Sequence, residues 1–273
     1  AIDARVSGVA LDDRLRPHVD AIVDLLGLGD ELAATPPRML VSLLGELRTM
    51  ALTDVRLLFA ASRGLGWRHH EPELLQAAGD VSLGFPEVLA STVAPALDGL
   101  VERLAAPTAA FLDVGVGVAA MSIEMARRWP ALRIVGIDPW GPAVELARER
   151  VREAGLVDRI ELRVQAGEQC RDRDAFDLAW VPGVFVPEDA IAAVLDRVHD
   201  ALRFGGWMLL PIMKTSDDPL AAALSRLRAA MFGGLSLGVT ELEALVRARF
   251  TTVRTLPSRP GALTTLLAAR REA

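Results

Sequence analysis

The chain has 273 residues, so it can hold one large domain or a small domain beside a larger one, with ample length to bury a core. Its formal net charge is -6 at pH 7, whereas a nucleic-acid-binding surface is usually basic. No stretch approaches the roughly 18 uninterrupted apolar residues that indicate a membrane span. We therefore expect a soluble protein with no nucleic-acid or membrane partner.

Two features of the composition limit the chemistry. The only cysteine is Cys170, so an internal disulfide is impossible, and the reducing cytoplasm is the expected compartment. Tyrosine is absent, so Trp and Phe must supply any aromatic wall of a binding site. No Tyr hydroxyl is available for catalysis.

Residues 1–104 are predicted to form a helical domain, because Leu, Val and Ala recur there at helical spacing. Thr35 is expected to cap a helix that starts at the two prolines after it and continues to about Met50. Thr53 is expected to cap the next helix, which the glycines of residues 62–66 would end.

The end of the helical region contains a proline. Residues 85–104, FPEVLASTVAPALDGLVERL, predict either a long helix or a pair of helices broken near Pro95. The segment leads into the second domain.

Residues 105–273 are predicted to form an α/β domain with a parallel sheet covered by helices on both faces. Short apolar runs alternate there with helical patterns. The predicted strands are 111–114, 132–137, 160–164, 176–181, 207–212, 251–256 and 263–269, and the predicted helices are 119–129, 142–154, 188–202, 219–231 and 240–250.

A turn for a nucleotide-like ligand is predicted at residues 111–120, FLDVGVGVAA. Gly115 and Gly117 let the backbone turn tightly and approach a ligand where a Cβ would collide. Asp113 can attract a positively charged ligand group. Asp138 closes the second strand, 23 residues after Gly115, where a carboxylate can accept hydrogen bonds from two ribose hydroxyls.

Other readings of this turn stay open. The sequence GVGVAA also satisfies the GxGxxA fingerprint of NAD(P)-dependent oxidoreductases, although an apolar residue is usual in those proteins at the position of Asp113. A non-catalytic regulatory or binding protein could retain the fold, and the same pocket could serve another reaction such as a cyclisation.

Five motifs in this order resemble those of the class I S-adenosylmethionine-dependent methyltransferases. They are LDVGVG at 112–117, GIDP at 136–139, GE at 167–168, FDLAW at 176–180 and LRFGGW at 202–207. The resemblance covers roughly residues 105–273 and implies a seven-stranded, doubly wound, Rossmann-like sheet after the helical domain. One departure is Ala119, which replaces the third glycine of the DxGxGxG pattern.

The resemblance also implies an S-adenosylmethionine site. In the family, the acid matching Asp113 lies near the methionine portion of the cofactor, the acid matching Asp138 holds the ribose, and the GE pair approaches the adenine. The residues expected to contact the cofactor are Asp113, Gly115, Gly117, Asp138, Pro139, Trp140, Gly167, Glu168, Gln169 and Val181.

The loop after the fourth strand, residues 180–185, faces the methyl acceptor in this family. Here it is the apolar sequence WVPGVF, without an NPPY-type motif or the clustered Asp and Asn ligands of metal-dependent catechol methyltransferases. We expect O-methylation of a small, largely apolar metabolite in specialised metabolism, without a metal. The expected pocket residues are Trp180, Pro182, Phe185, Met213, Met231 and Phe232.

His69 and His70, in the segment GLGWRHHEPE, are the candidate catalytic bases for a hydroxyl acceptor. The alternative is that both are surface histidines beside Arg68 and Glu71. By the same resemblance, the helical domain is expected to act as a lid and as a homodimer interface. The acidic balance disfavours the other reading, a helix-turn-helix reader of nucleic acid.

Overall fold

The computed structural model describes residues 1–60, 66–214, 218–234, 237–257 and 264–272. The helices in these ranges that precede the first strand agree with the helical pattern of the sequence. They are α1 (Ile2–Ser7), α2 (Arg16–Leu25), α3 (Gly29–Ala34), α4 (Pro37–Ala60), α5 (Pro72–Asp80), α6 (Phe85–Val88) and α7 (Leu100–Ala105). Within the described part of the chain, every helix is too short or too polar to cross a lipid bilayer.

Helix α4 is one helix of 24 residues, so the predicted helix end near Met50 is wrong. Thr53 lies inside it, and its hydroxyl donates to the carbonyl oxygens of Thr49 at 2.7 Å and Met50 at 3.0 Å. A threonine hydroxyl satisfied in this way has no need to cap a new helix. Residues 62–65, where the sequence predicts the helix end, lie outside the described residues.

Thr35 does not cap α4 either. Its Oγ1 donates to the carbonyl oxygen of Glu31 at 2.6 Å, at the end of α3. The first turn of α4 closes instead on the carbonyl oxygen of Pro36, which accepts from the amides of Met39 and Leu40. The Thr35 hydroxyl therefore hydrogen-bonds to a carbonyl at the end of α3, and not to an amide at the start of α4 as the sequence predicts.

The chain is broken near Pro95, as the second of the two sequence alternatives predicts. A π-helical turn (Leu89–Val93) and a 3-10 turn (Ala94–Ala96) follow α6 before α7 begins. Proline cannot donate to a helical hydrogen bond, so it favours a break at this point. Gly99, with φ of 74°, then supplies the left-handed residue directly before α7.

The described residues form one seven-stranded sheet in the order β3-β2-β1-β4-β5-β7-β6. Helices follow β1, β2, β4 and β5 and cover the sheet, as the alternating pattern predicts. The elements are β1 (Ala110–Val114), α8 (Ala120–Arg128), β2 (Arg133–Asp138), α9 (Gly141–Glu153), β3 (Ile160–Val164), β4 (Phe176–Trp180), α10 (Ile191–Ala201), β5 (Leu202–Met213), α11 (Pro219–Phe232), α12 (Val239–Arg247), β6 (Thr252–Leu256) and β7 (Thr264–Arg270).

The sheet is mixed, whereas the sequence predicts a parallel one. Strands β1 to β5 pair in parallel, but β7 pairs antiparallel with both β5 and β6. The physical reason is the short connection between β6 and β7, because parallel neighbours need a crossover of a dozen or more residues.

Strand β1 lies in the middle of the sheet with both faces covered. Phe111 packs into the core on one side, with Leu178 and Trp207, and Leu112 packs into the core on the other side. This placement explains the continuous apolar run before the acid in the sequence. The carboxyl ends of β1, β2 and β4 consequently open at the same edge of the sheet.

The helices before β1 reach that edge. Leu75 of α5 packs against Val118 and Ala120 at the start of α8, and against Ala143 of α9. Gly79 lies so close to Val118 that a Cβ at Gly79 would collide with the valine side chain. Helix α5 therefore sits directly over the glycine turn that follows β1.

Candidate cofactor and acceptor site

The turn after β1 has the conformation that its glycines allow. Gly115 and Gly117 have φ values of 69° and 53°, in the left-handed region. The amides of Gly115 and Val116 both donate to the carbonyl oxygen of Ile137, at 2.8 and 3.1 Å. A Cβ at Gly115 would lie 2.9 Å from the ring of Pro182, so the turn after β1 and the loop after β4 touch.

Gly117 faces open space. The nearest heavy atom to an added Cβ there, among the described residues, is the Gly115 carbonyl oxygen at 4.0 Å. The space that this side chain would fill is free for a ligand to approach the backbone.

Ala119 occupies the position of the third glycine and is itself left-handed, with φ of 59°. It is fully buried and immediately precedes α8. A Cβ in this conformation costs roughly 1 to 2 kcal/mol relative to the right-handed region. The chain thus adopts the left-handed conformation here with a residue that is strained in it.

Asp113, at the end of β1, is buried, with 2% of its surface exposed. Its Oδ2 accepts a hydrogen bond from the Ser122 hydroxyl at 2.6 Å. Burial raises the pKa of Asp113 to about 7, with a further rise from the negative charge of Asp138 and an opposing effect of the Ser122 hydrogen bond. A cationic group beside this carboxyl would favour its ionised form. Nothing in the local sequence indicates the Ser122 partnership, because it depends on how α8 packs on β1.

Asp138, at the end of β2, is tied to the glycine turn. Its Oδ2 accepts from the amide of Gly117 at 2.9 Å, and its Oδ1 accepts from the amide of Trp140 at 2.8 Å. Burial raises the pKa of Asp138, and the two amide hydrogen bonds oppose that rise. Each carboxylate oxygen has a further lone-pair site, so the group can still accept two hydroxyl hydrogen bonds.

The remaining predicted cofactor residues occupy different environments. Pro139 and Gln169 are exposed, Trp140 and Glu168 are partly buried, and Gly167 is buried where a 3-10 turn (Gly167–Gln169) begins after β3. Val181 is fully buried, and its amide donates to the carbonyl oxygen of Leu209. Val181 therefore packs beneath the strand ends and presents no surface to a ligand in this conformation.

These residues fit S-adenosylmethionine. The open space over Gly117 admits a ligand against backbone, the carboxylate of Asp138 has lone pairs for a ribose diol, and Asp113 offers a carboxyl to a cationic group. All three lie at the carboxyl ends of neighbouring strands, where open α/β sheets bind their ligands.

Beside the glycine turn lies a group of three side chains that we name the aromatic cluster: Trp67, Phe185 and Phe232. The Trp67 ring stands edge-on to Phe185 at 5.4 Å and to Phe232 at 5.8 Å between centroids, and the two phenylalanines are 5.2 Å apart. Phe185 comes from the 3-10 turn (Gly183–Phe185) after β4, and Phe232 ends α11. The structure therefore brings Phe185 and Phe232, two of the predicted pocket residues, into contact.

Trp67 was missed by the sequence reasoning. In a chain without tyrosine, a Trp two residues before the candidate His69 is a signal that could have identified it. Its distance from Phe185 and Phe232 along the chain hides the cluster from any local pattern.

The other predicted pocket residues are placed differently. Trp180 packs on Phe85, with 4.5 Å between ring centroids, in the core cluster that also holds Trp207. Pro182 is buried against Gly115. Met213 and Met231 are partly buried at the ends of β5 and α11.

The contacts of His69 define which of its ring nitrogens carries the proton. Arg56 donates from its Nη1 to the His69 Nδ1 at 2.8 Å, and Arg56 also pairs with Glu71. An arginine can only donate, so neutral His69 carries its proton on Nε2. Burial lowers the pKa of His69, and the positive charge of Arg56 lowers it further. In this tautomer His69 presents a hydrogen-bond donor at Nε2, and Arg56 occupies its Nδ1.

His70 lies on the other side of the same segment and is exposed. Its ring packs edge-on to Trp140 at 4.8 Å between centroids. The Trp140 indole donates from Nε1 to the carbonyl oxygen of His69 at 2.7 Å. The segment of residues 66–71 therefore contacts the chain after β2 through Trp140 and the chain after β4 through Trp67.

The comparison with known proteins agrees with this geometry. Residues 111–206 match the sequence model of a family described as a methyltransferase domain. No curated protein sequence matches the chain.

Several solved structures share the fold. A candidate O-methyltransferase from Nostoc punctiforme has a TM-score of 0.60 and 17% identity, over 85% of this chain and 72% of that one. A mitomycin 7-O-methyltransferase has a TM-score of 0.57 and 20% identity, over 83% and 68% of the two chains. Human N-acetylserotonin methyltransferase, solved in complex with S-adenosylmethionine, has a TM-score of 0.51 and 17% identity, over 86% and 71%. At these identities the likeness shows a common fold.

Proposed function

Residues 111–206 form a class I S-adenosylmethionine-dependent methyltransferase domain, and from this premise we propose that the chain methylates a small, largely apolar aromatic metabolite at an oxygen atom. The observation that carries the proposal is the aromatic cluster, which adjoins the glycine turn through Pro182. A role in specialised metabolism in the cytoplasm completes the proposal. The reducing cytoplasm fits the single cysteine, Cys170, which is buried. The metabolic role is supported by similarity to the fold of a mitomycin 7-O-methyltransferase.

The methyl donor is assigned to the glycine turn and the strand ends beside it. When bound, S-adenosylmethionine would supply its sulfonium methyl group to an in-line nucleophile, with S-adenosylhomocysteine as the leaving group. We assign the ribose hydroxyls to Asp138 and the cationic methionine portion to the side of Asp113. Their task is to hold the donor in one orientation, which is a large part of catalysis for a displacement reaction.

The acceptor is assigned to the aromatic cluster. Rings that stand edge-on to one another form a wall against which a planar apolar ring can pack at similar distances. The partly buried Met213 and Met231 have flexible thioether side chains suited to an irregular apolar pocket. An aromatic hydroxyl is the acceptor chemistry that such a wall would orient.

The two histidines have separate tasks in this proposal. His69 donates a hydrogen bond from Nε2 toward the acceptor side, because Arg56 occupies its Nδ1. His70, exposed on the same segment and packed on Trp140, is kept as the candidate base for the hydroxyl proton, a role that contributes roughly 10²–10⁴-fold in rate for typical general bases. The expected result for His70→Gln is a fall in kcat of about that size with KM for the donor unchanged, measured by methyl transfer. An equal loss in His69→Gln alone would reverse the assignment.

Binding of S-adenosylhomocysteine and of NADH, measured by isothermal titration, tests the donor assignment. We expect the homocysteine nucleoside to bind and NADH to give no heat. The opposite result would favour the NAD(P)-dependent oxidoreductase.

A panel of phenols and hydroxylated polycyclic aromatics, incubated with labelled S-adenosylmethionine, then tests turnover. Label transfer to oxygen is the expected outcome. Binding of the nucleoside without transfer to any phenol, amine or carbon acceptor would favour a non-catalytic binding protein.

Helices α1 to α7 are assigned to a lid and to a homodimer interface. Helix α4 carries an exposed apolar stripe, at positions spaced by about one or two helical turns. Its members and their exposed fractions are Leu43 37%, Leu47 45%, Val55 51% and Leu58 80%. A second copy of this chain would cover the stripe.

A further inference from the structure

Trp140 makes three contacts that join two parts of the site. Its amide donates to Asp138, its indole donates to the carbonyl oxygen of His69 at 2.7 Å, and its ring packs edge-on to His70. It also packs against the apolar cluster at the start of α8. A single residue after β2 therefore holds a segment that lies 71 positions earlier in the chain.

That segment leads to the acceptor side. The His69 ring stands edge-on to Trp67 at 4.7 Å between centroids. Trp67 in turn contacts Phe185 and Phe232 of the aromatic cluster. A continuous set of contacts thus runs from the Asp138 carboxylate, through Trp140 and His69, to the aromatic cluster.

The hydrogen bond from the indole is the specific part of this path. The hydrogen bond is partly buried, and a donor that is shielded from water is disfavoured when unpaired, so the N–H favours one position of the His69 carbonyl. Phenylalanine keeps an aromatic ring but has no N–H, so it removes this hydrogen bond together with part of the indole packing.

We infer that Trp140 is a positioning residue that couples occupancy of the donor site to the placement of residues 66–71 over the acceptor site. The inference rests on the proposed function. A ribose diol that donates to Asp138 fixes the carboxylate, the carboxylate fixes the amide of Trp140, and the indole then fixes the His69 carbonyl. By linkage, the acceptor must strengthen donor binding by the same factor.

Hydrogen exchange of the whole chain, followed by mass spectrometry with and without S-adenosylhomocysteine, tests the coupling. In the wild type we expect the nucleoside to slow exchange in residues 66–71 by about tenfold, within the usual range of coupling between sites. In Trp140→Phe we expect the nucleoside still to bind and the slowing to fall below about twofold. Trp129→Phe, a change at the far end of α8, is the matched control and should behave as the wild type.

Each outcome has a distinct meaning. Failure of S-adenosylhomocysteine to bind the wild type overturns the proposed function and the coupling with it. Binding without slower exchange in residues 66–71, or equal slowing in Trp140→Phe, overturns the coupling alone. Because the wild-type comparison needs no variant, it can overturn the coupling even if Trp140→Phe fails to fold.

A kinetic measurement separates positioning from a loss of structure. Once an acceptor is known, Trp140→Phe should raise KM for the acceptor with little change in KM for the donor. A rise in KM for the donor alone would show that the tryptophan serves the donor site only, and a parallel rise in both values would show a general loss of structure; either result overturns the positioning role.

Discussion

Asp138 is the residue on which the donor site depends most directly. It accepts hydrogen bonds from the amides of Gly117 and Trp140, so it organises both the glycine turn and the chain after β2. A carboxylate that already orients two backbone segments is well placed to hold a diol.

Asp138→Asn is expected to weaken binding of S-adenosylhomocysteine by about 1 to 3 kcal/mol, through the loss of charge-assisted hydrogen bonds. Asparagine keeps one acceptor for the backbone amides, so the fold should survive. Asp158→Asn, a change at an exposed acid after α9, is the control for altered net charge. Titration calorimetry gives the affinities, and an unchanged value for Asp138→Asn would mean that the ribose lies elsewhere.

At the scale of elements, α4 is a helix with an apolar stripe that the described residues leave exposed. One of its faces packs against α5, and Arg48 on α4 pairs with Asp3 of α1 at 2.8 Å. The stripe from Leu43 to Leu58 is left exposed. An exposed apolar helix face of this length is typical of an interaction surface.

Leu47→Glu is expected to convert the proposed homodimer into a monomer, because it places a charge in the middle of the stripe. Light scattering coupled to size-exclusion chromatography reads the outcome against the chain mass of 29.3 kDa. Val101→Glu, at another exposed apolar side chain outside α4, is the matched control. A wild type that already elutes as a monomer at high concentration would contradict the proposal.

At the scale of the whole molecule, the free energy of unfolding should depend on pH through Asp113. The pKa of this carboxyl is about 7 in the folded protein, because of burial, and near 3.9 in the unfolded chain. Between these values the folded state binds more protons than the unfolded state, so stability falls as the pH rises from about 4 to about 7. Above pH 7 the loss is complete.

Asp113→Asn removes this penalty. Its stability relative to the wild type should be greater at pH 8 than at pH 5 by on the order of 2 to 3 kcal/mol. Urea denaturation at the two pH values measures the difference, with Asp158→Asn again as the control. A relative stability that is the same at both pH values would show that Asp113 is ionised in the folded protein at pH 5 as well.

The sequence by itself determined the elements whose signals are local. Apolar runs that alternate with helical patterns predicted the strands and helices after residue 105, and the structure confirms the seven-stranded sheet. The glycine turn, Asp113 and Asp138 could also be predicted from the sequence, because their chemistry depends on a few neighbours in the chain. The resemblance to the methyltransferases rested on these motifs, and the match at residues 111–206 confirms it.

Only the tertiary structure decided what surrounds those motifs. Trp67, Phe185 and Phe232 come from three distant segments, so no local pattern could predict their contact. The protonation of His69 depends on Arg56 of α4, and the path from donor to acceptor side depends on Trp140. The reason is physical: local patterns report which face of an element is apolar, whereas a site is formed by faces that meet only when the chain has folded.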